Sequence, residues 1–188
     1  MKNIAILASG DGSNAEAIAK YFCNSDSVKV AAVLSNKENA GVHSRMKALE
    51  IPTFTFPRNE WNSPDEILDL LNRLDIDLIV LAGFLCMIQP SIIETYAGRI
   101  INIHPSLLPK YGGTGMWGYH VHEAVIAAQE TESGITIHHV TNEVDGGEII
   151  FQASCKVIDG DTPSTLAQRV HELEYAHYPK VIEQLLLN

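Results

Sequence analysis

Three features of this chain predict an α/β fold with a doubly wound, mainly parallel sheet. Short apolar runs recur at Ile4–Ala8, Val28–Leu34, Asp77–Ala82 and Ile100–Ile103, as expected of strands covered on both faces. Helical patterns separate them, the alternation that builds parallel sheets through crossover connections. A glycine-rich turn, Gly10-Asp11-Gly12, closes the first run and opens a helix.

Taken in order, Ile4–Ala8 is the first strand, and Ser13-Asn14 precede a helix over Ala15–Phe22, whose apolar spacing suits one buried face. Val28–Leu34 is the second strand, followed by a polar loop, a helix near Ser44–Glu50 and a short third strand at Thr53–Phe56. Ser63-Pro64-Asp65-Glu66 predicts a helix start, with Ser63 as N-cap, Pro64 in the first position and Glu66 closing a capping box. That helix runs to about Leu74 and leads to the fourth strand at Asp77–Ala82, with Ile100–Ile103 as the fifth. Gly134–Val140 and Glu148–Val157 form a further pair, expected to be antiparallel and joined by the Asp145-Gly146-Gly147 turn. Thr162-Pro163 begins a long final helix ending near Leu187. No Gly/Ser linker or internal repeat divides the chain, so one domain over residues 1–188 is expected.

The chain has 188 residues, enough for one well-buried domain and too few for two of ordinary size. A net charge of -10 argues against a nucleic-acid or anionic-membrane surface, which needs clustered Lys and Arg. The longest apolar stretch, Leu78–Ile88, is about half of what a bilayer span requires. Lys2 is the only charged side chain before the first apolar run, which reads as a strand and not as a secretory signal. Cys23, Cys86 and Cys155 are odd in number and widely spaced, without zinc or disulfide patterning, so a reducing cytoplasm is expected.

The segment Gly10-Asp11-Gly12-Ser13-Asn14-Ala15 satisfies GxGxxA at the end of a strand, where helix N-terminal amides bind phosphate. A dinucleotide is disfavoured because the second strand ends in Leu34-Ser35-Asn36, without the acid that would hold an adenosine ribose. Ser13 and Asn14 offer a hydroxyl and an amide to a terminal phosphate, so a monophosphate is the favoured ligand. Glycines of a plain tight turn are the remaining alternative.

Asn102-Ile103-His104-Pro105 ends the fifth strand, and residues two apart in a strand face the same way. One carboxamide and one imidazole are thereby aimed at a common point. Glu143-Val144-Asp145-Gly146-Gly147 offers a carboxylate on a glycine turn to pair with the imidazole. Amide donor, protonatable ring and orienting acid suit a developing oxyanion. A strand end with a surface histidine is the bland alternative.

Ala8–Asn14, Leu81-Ala82-Gly83-Phe84 and Asn102–Pro109 resemble segments of the folate-dependent formyltransferases, and His138–Gly147 and Glu174–Pro179 extend the likeness over essentially the whole chain. The Asn-Ile-His-Pro segment with a later Asp-Gly-Gly is specific to that superfamily, and the glycine loop with Ser-Asn narrows the likeness to the phosphoribosylglycinamide formyltransferase branch. The resemblance implies a Rossmann-like single domain in which 10-formyltetrahydrofolate, as co-substrate and without a metal, donates a formyl group to the amine of phosphoribosylglycinamide in purine biosynthesis. It implies Asn102, His104 and Asp145 as catalytic residues, with Asp145 favouring the imidazolium form of the ring. Gly12, Ser13 and Asn14, in a phosphate loop over 8–15, would bind the substrate phosphate, and Glu174 would position its amine. Leu85, Cys86, Met87 and Ile88, with Asn102, would line the folate pocket in a segment over 83–109, and the Asp-Gly-Gly turn occupies 143–147. Small-molecule substrates are implied, with neither nucleic acid nor membrane as partner, and a monomer or homodimer. Another folate-dependent formyltransferase, or a formyltetrahydrofolate hydrolase, could share the same catalytic residues. A dinucleotide-dependent oxidoreductase and a non-catalytic ligand-binding homologue are the more distant alternatives.

Two departures from the family pattern stand out. Cys86 occupies a position that is usually arginine, and Arg58 and Lys110 are the candidate replacements for the lost cation. The Pro109–Gly118 segment is long and glycine-rich, either a mobile loop over the site or a surface turn. Cys86 itself reads as a packed thiol among apolar neighbours. His120 with His122, and His138 with His139, lack a third ligand, and adjacent strand residues point to opposite faces, so neither pair is expected to bind metal. Trp61 and Trp117 are expected to be partly packed in loop-like segments, and Asp11 to face solvent.

Overall fold

The computed structural model describes residues 1–187. They form strands β1 (Lys2–Leu7), β2 (Val28–Ser35), β3 (Thr53–Thr55), β4 (Ile76–Leu81), β5 (Ile100–His104), β6 (Glu132–His139) and β7 (Ile149–Lys156). Between and after them lie helices α1 (Ser13–Phe22), α2 (Gly41–Ala48), α3 (Asp65–Arg73), α4 (Pro90–Thr95), α5 (Tyr119–Ala127) and α6 (Pro163–Leu187), with a single 3-10 turn at Glu60–Asn62. The seven strands form one mixed sheet in the order β3-β2-β1-β4-β5-β6-β7. The chain divides into two compact units, Met1–Ile101 with the segment from Pro179 onward, and Asn102–Tyr178. Both boundaries fall inside regular elements, β5 and α6.

In the first unit β1 pairs in parallel with β2 and with β4, and β2 in parallel with β3. Ile4, Ala5 and Ile6 are fully buried, as a strand with both faces covered requires. On α1, Ala15, Ile18, Ala19 and Phe22 are buried, a stripe at the i, i+3, i+4, i+7 spacing of one helix face. Helix α2 starts at Gly41, three residues ahead of the expected Ser44, because Val42 and Met46 form its buried stripe.

The expected cap on α3 is not formed. Pro64 is the N-cap and makes no side-chain cap bond, while Ser63 closes the preceding 3-10 turn with its N–H donating to the Glu60 carbonyl at 3.2 Å. Ser63 ends that turn one position ahead of the N-cap, so its hydroxyl is not at the capping position. The same reasoning succeeds at α6, where the Thr165 N–H donates to Thr162 Oγ1 at 3.2 Å, one residue ahead of Pro163.

In the second unit β6 and β7 are antiparallel, as expected, with β6 starting two residues before Gly134. Gly147 is required in their connection, because a Cβ there would collide with the His139 carbonyl. Helix α5 in this unit and helix α4 in the first have no counterpart in the sequence pattern. Helix α4 is six residues long with Ile92 its buried residue, and α5 buries His122 between Val121 and Val125, a polar residue within the apolar stripe. No helix among the described residues is long and apolar enough to cross a membrane.

Candidate active site

Strand β5 delivers Asn102 and His104, two residues apart, to one side of the strand in the second unit. His104 is 4% exposed, and its Nδ1 lies 3.6 Å from Asp145 Oδ2. The other carboxylate oxygen, Oδ1, lies 3.6 Å from His138 Nε2. His138 in turn meets Asn102, with Nδ2 to Nε2 at 3.1 Å, and its Nδ1 is 2.9 Å from the His139 carbonyl. The carbonyl can only accept, so Nδ1 carries a proton, and Nε2 is the ring nitrogen that faces both the Asn102 amide and the Asp145 carboxylate. Asn102, His104 and Asp145 are therefore brought together, and His138 links the carboxamide to the carboxylate.

Asp145 has a positive φ of 54° and a side chain 10% exposed. Burial alone would raise its carboxyl. His138, the Gly113 amide and the charge of His104 together pull it below the ordinary carboxylate value, so it is an anion at neutral pH. Its Oδ2 accepts from the Gly113 N–H at 2.9 Å.

The 110–118 segment is anchored to these groups. The Tyr111 carbonyl accepts from His104 Nε2 at 2.7 Å, and the Tyr111 hydroxyl donates to Glu130 at 2.9 Å. The imidazole donor that an oxyanion would use is thus engaged by a backbone carbonyl, at a residue with a φ of 56°. Lys110 pairs with Glu130 at 2.9 Å, so its charge has a partner away from Cys86.

Glu174 on α6 is 3% exposed and accepts from His171 Nδ1 at 2.7 Å, and Glu174 raises the His171 ring pKa. His122 is 2% exposed with Nδ1 lacking a hydrogen-bond partner, and burial, with His171 second, lowers its pKa to about 4. It is a neutral ring at physiological pH.

In the first unit, Gly12 is the left-handed N-cap of α1, with φ 81°, and Ser13 and Asn14 open the helix. A Cβ at Gly12 would come within 2.5 Å of Val42, so glycine is needed for close approach as well as for φ. The Ser9 N–H donates to the Gly83 carbonyl at 3.0 Å and Ser9 Oγ accepts from the Leu85 N–H at 2.8 Å, tying the glycine loop to the segment after β4. There Leu85 and Met87 are 45% and 58% exposed, whereas Ile88 is packed at 8%. Burial pushes the Cys86 thiol pKa up, opposed by the charges of Arg58 and Lys37 and by a bond to Asn36. Of the two cations offered by the sequence, Arg58 is the one whose charge acts on Cys86, and the charge of Lys37 acts with it.

Trp61 is fully packed where partial packing is expected: it is 1% exposed, donates Nε1–H to the Phe56 carbonyl at 2.8 Å and packs on Phe84. Trp117 is 49% exposed, edge-on to His120, which pairs with Glu123. Among the described residues no group of three or more His, Cys, Asp or Glu is arranged to hold a metal ion. His138 is the site residue that pattern reading set aside, through its adjacency to His139. The signal was present in Gly134-Ile135-Thr136-Ile137-His138, where polar residues alternate with isoleucine as they do in Asn102-Ile103-His104. Thr136 Oγ1 accepts from the Leu108 N–H and donates to the Ser106 carbonyl, fixing the segment that follows His104.

Comparison with known proteins places the chain in a family. The formyl transferase family model matches residues 2–182. The chain is 40% identical over 189 residues to phosphoribosylglycinamide formyltransferase of Haemophilus influenzae, covering 97% of this chain and 86% of that one. It is 39% identical to the enzyme of the same name in Escherichia coli K12, covering 96% and 85%. The crystal structure of phosphoribosylglycinamide formyltransferase from Anaplasma phagocytophilum superposes with a TM-score of 0.90 at 36% identity, covering 98% of this chain and 87% of that one. The chain belongs to the formyl transferase family.

Proposed function

We propose that the protein transfers a formyl group from 10-formyltetrahydrofolate to the amine of phosphoribosylglycinamide, giving the N-formyl product of purine biosynthesis. One observation carries the reading: a carboxamide, a buried imidazole and a largely enclosed carboxylate converge in a chain whose relatives bear that name. The exposed apolar side chains of Leu85 and Met87 suit an aromatic folate ring, with Arg58 and Lys37 supplying the positive charge that Cys86 lacks. Bound 10-formyltetrahydrofolate supplies the formyl carbon that the substrate amine attacks.

The residues do the rest. The Asn102 amide and the His104 Nε2–H donate to the oxygen on which charge develops, and the Tyr111 carbonyl gives way to it. Losing one such donor costs about 2.7–4 kcal/mol of barrier, or roughly 10²–10³ in rate. Asp145 holds the imidazole by its Nδ1 side, and the proton lost by the amine leaves with the folate nitrogen. Gly12, Ser13 and Asn14 grip the substrate phosphate and Glu174 faces its amine, with His171 fixing the carboxylate. The three free cysteines fit a reducing cytoplasm, and the protein works as a monomer or homodimer on small molecules.

The deciding assay follows deformylated folate from 10-formyltetrahydrofolate with and without phosphoribosylglycinamide. Turnover that requires the amine is expected. Turnover with formate release in its absence would identify a hydrolase instead.

A further inference from the structure

The glycine loop contains one carboxylate, Asp11, set between Gly10 and Gly12 where the backbone is least restrained. A phosphate monoester is a dianion, and a carboxylate free to swing toward it would oppose binding. Helix α2 deals with this group from behind. Arg45 Nε donates to the Asp11 carbonyl at 2.9 Å, Nη2 donates to Asp11 Oδ2, and Nη1 donates to Glu16 Oε2 on α1. All three sides of the guanidinium fork are therefore engaged, a geometry that lysine cannot reproduce.

The same turn of α2 backs the loop at further points. The Val42 N–H donates to the Gly10 carbonyl at 3.2 Å, and the Val42 side chain fills the space beside Gly12. A Cβ at Gly41 would meet Asp11 Oδ1 at 3.0 Å and its Cα at 3.1 Å, so one edge of the carboxylate abuts Gly41 while the Asp11 side chain stays 69% exposed. Glu16 also pairs with Lys20 at 2.6 Å, which leaves Glu16 partnered even without Arg45. Asp11 is the group whose restraint depends on the guanidinium.

We propose that Arg45 is a positioning residue for the substrate phosphate: it holds the Asp11 carboxylate against α2 and out of the cradle of amides at Gly12–Asn14. The proposal rests on the reading of that loop as the phosphate site. Arg45 itself does not touch the substrate. Its effect passes through Asp11, and that distinguishes it from an ordinary phosphate-binding cation.

The experiment is a rescue. Arg45→Ala should raise KM for phosphoribosylglycinamide about tenfold, on the scale of one charge acting on another near a protein surface, with kcat within about twofold. Adding Asp11→Asn to that variant should return KM to within about twofold of the wild type, because the repelling charge is gone. A KM unchanged by Arg45→Ala overturns the proposal. So does a raised KM that survives Asp11→Asn, which would mean that the guanidinium shapes the loop or binds phosphate directly. Ser13→Ala separates the two layers: a raised KM there with none in Arg45→Ala sinks the role of Arg45 alone, whereas no change in either variant removes the phosphate reading and this proposal with it. If Arg45→Ala does not fold, Arg45→Met keeps the aliphatic stem and reads the same outcomes.

Discussion

Asn102 owes its orientation to an imidazole, because its amide nitrogen is 3.1 Å from His138 Nε2. Removing that ring should leave the carboxamide free to rotate without removing it. His138→Ala is therefore expected to lower kcat about tenfold, the scale of one hydrogen bond, with little change in KM, as steady-state kinetics would read. Asn102 and His104 were legible because two-residue spacing in a strand fixes a common side, and Asp145 because glycines marked a turn. His138 was hidden by its neighbour, since a His-His pair suggests a metal before it suggests one buried ring. His122 gives a second prediction at this scale. Its folded-state pKa of about 4 lies below the ordinary 6.5, so its contribution is complete above pH 6.5 and is lost as pH falls toward 4. The groups facing it, His171, Glu174 and His104, are the same in a His122→Gln variant. Urea unfolding at pH 7 and pH 4.5 should show that the variant loses less stability than the wild type, by at most about 3 kcal/mol.

The helices show where local rules hold and where they yield. Thr162 and Ser63 carry the same cap-and-proline signature, yet only Thr162 bonds the helix it precedes. Thr162→Ala should cost about 1 kcal/mol in thermal unfolding, while Ser63→Ala should cost less than half of that. Reversal of that order would contradict the assigned caps. The strands were readable from continuous apolar runs, and α1 and α6 from spacing and caps. Helix α5 was not, because His120, His122 and Glu123 interrupt its apolar pattern, and α4 is too short to show a period. Nor could the sequence reveal that Tyr111 turns its carbonyl onto His104, which depends on a left-handed residue in a loop.

Under the proposed function, the residues assigned to binding and those assigned to chemistry belong to different units. Residues assigned to phosphate and folate binding, Gly12–Asn14 and Leu85–Ile88, belong to the first, and Asn102, His104, His138 and Asp145 to the second. A net charge of -10 gives no general attraction for an anionic substrate, so affinity must come from local groups such as the loop amides. Changes in the loop should therefore move KM and changes in the cluster should move kcat. Single-turnover formyl transfer, measured beside the dissociation constant for phosphoribosylglycinamide, tests this most directly in His104→Ala. The account predicts a rate lower by roughly 10²–10³ with affinity within about twofold of the wild type. An unchanged rate, or a loss of rate matched by an equal loss of affinity, would contradict it.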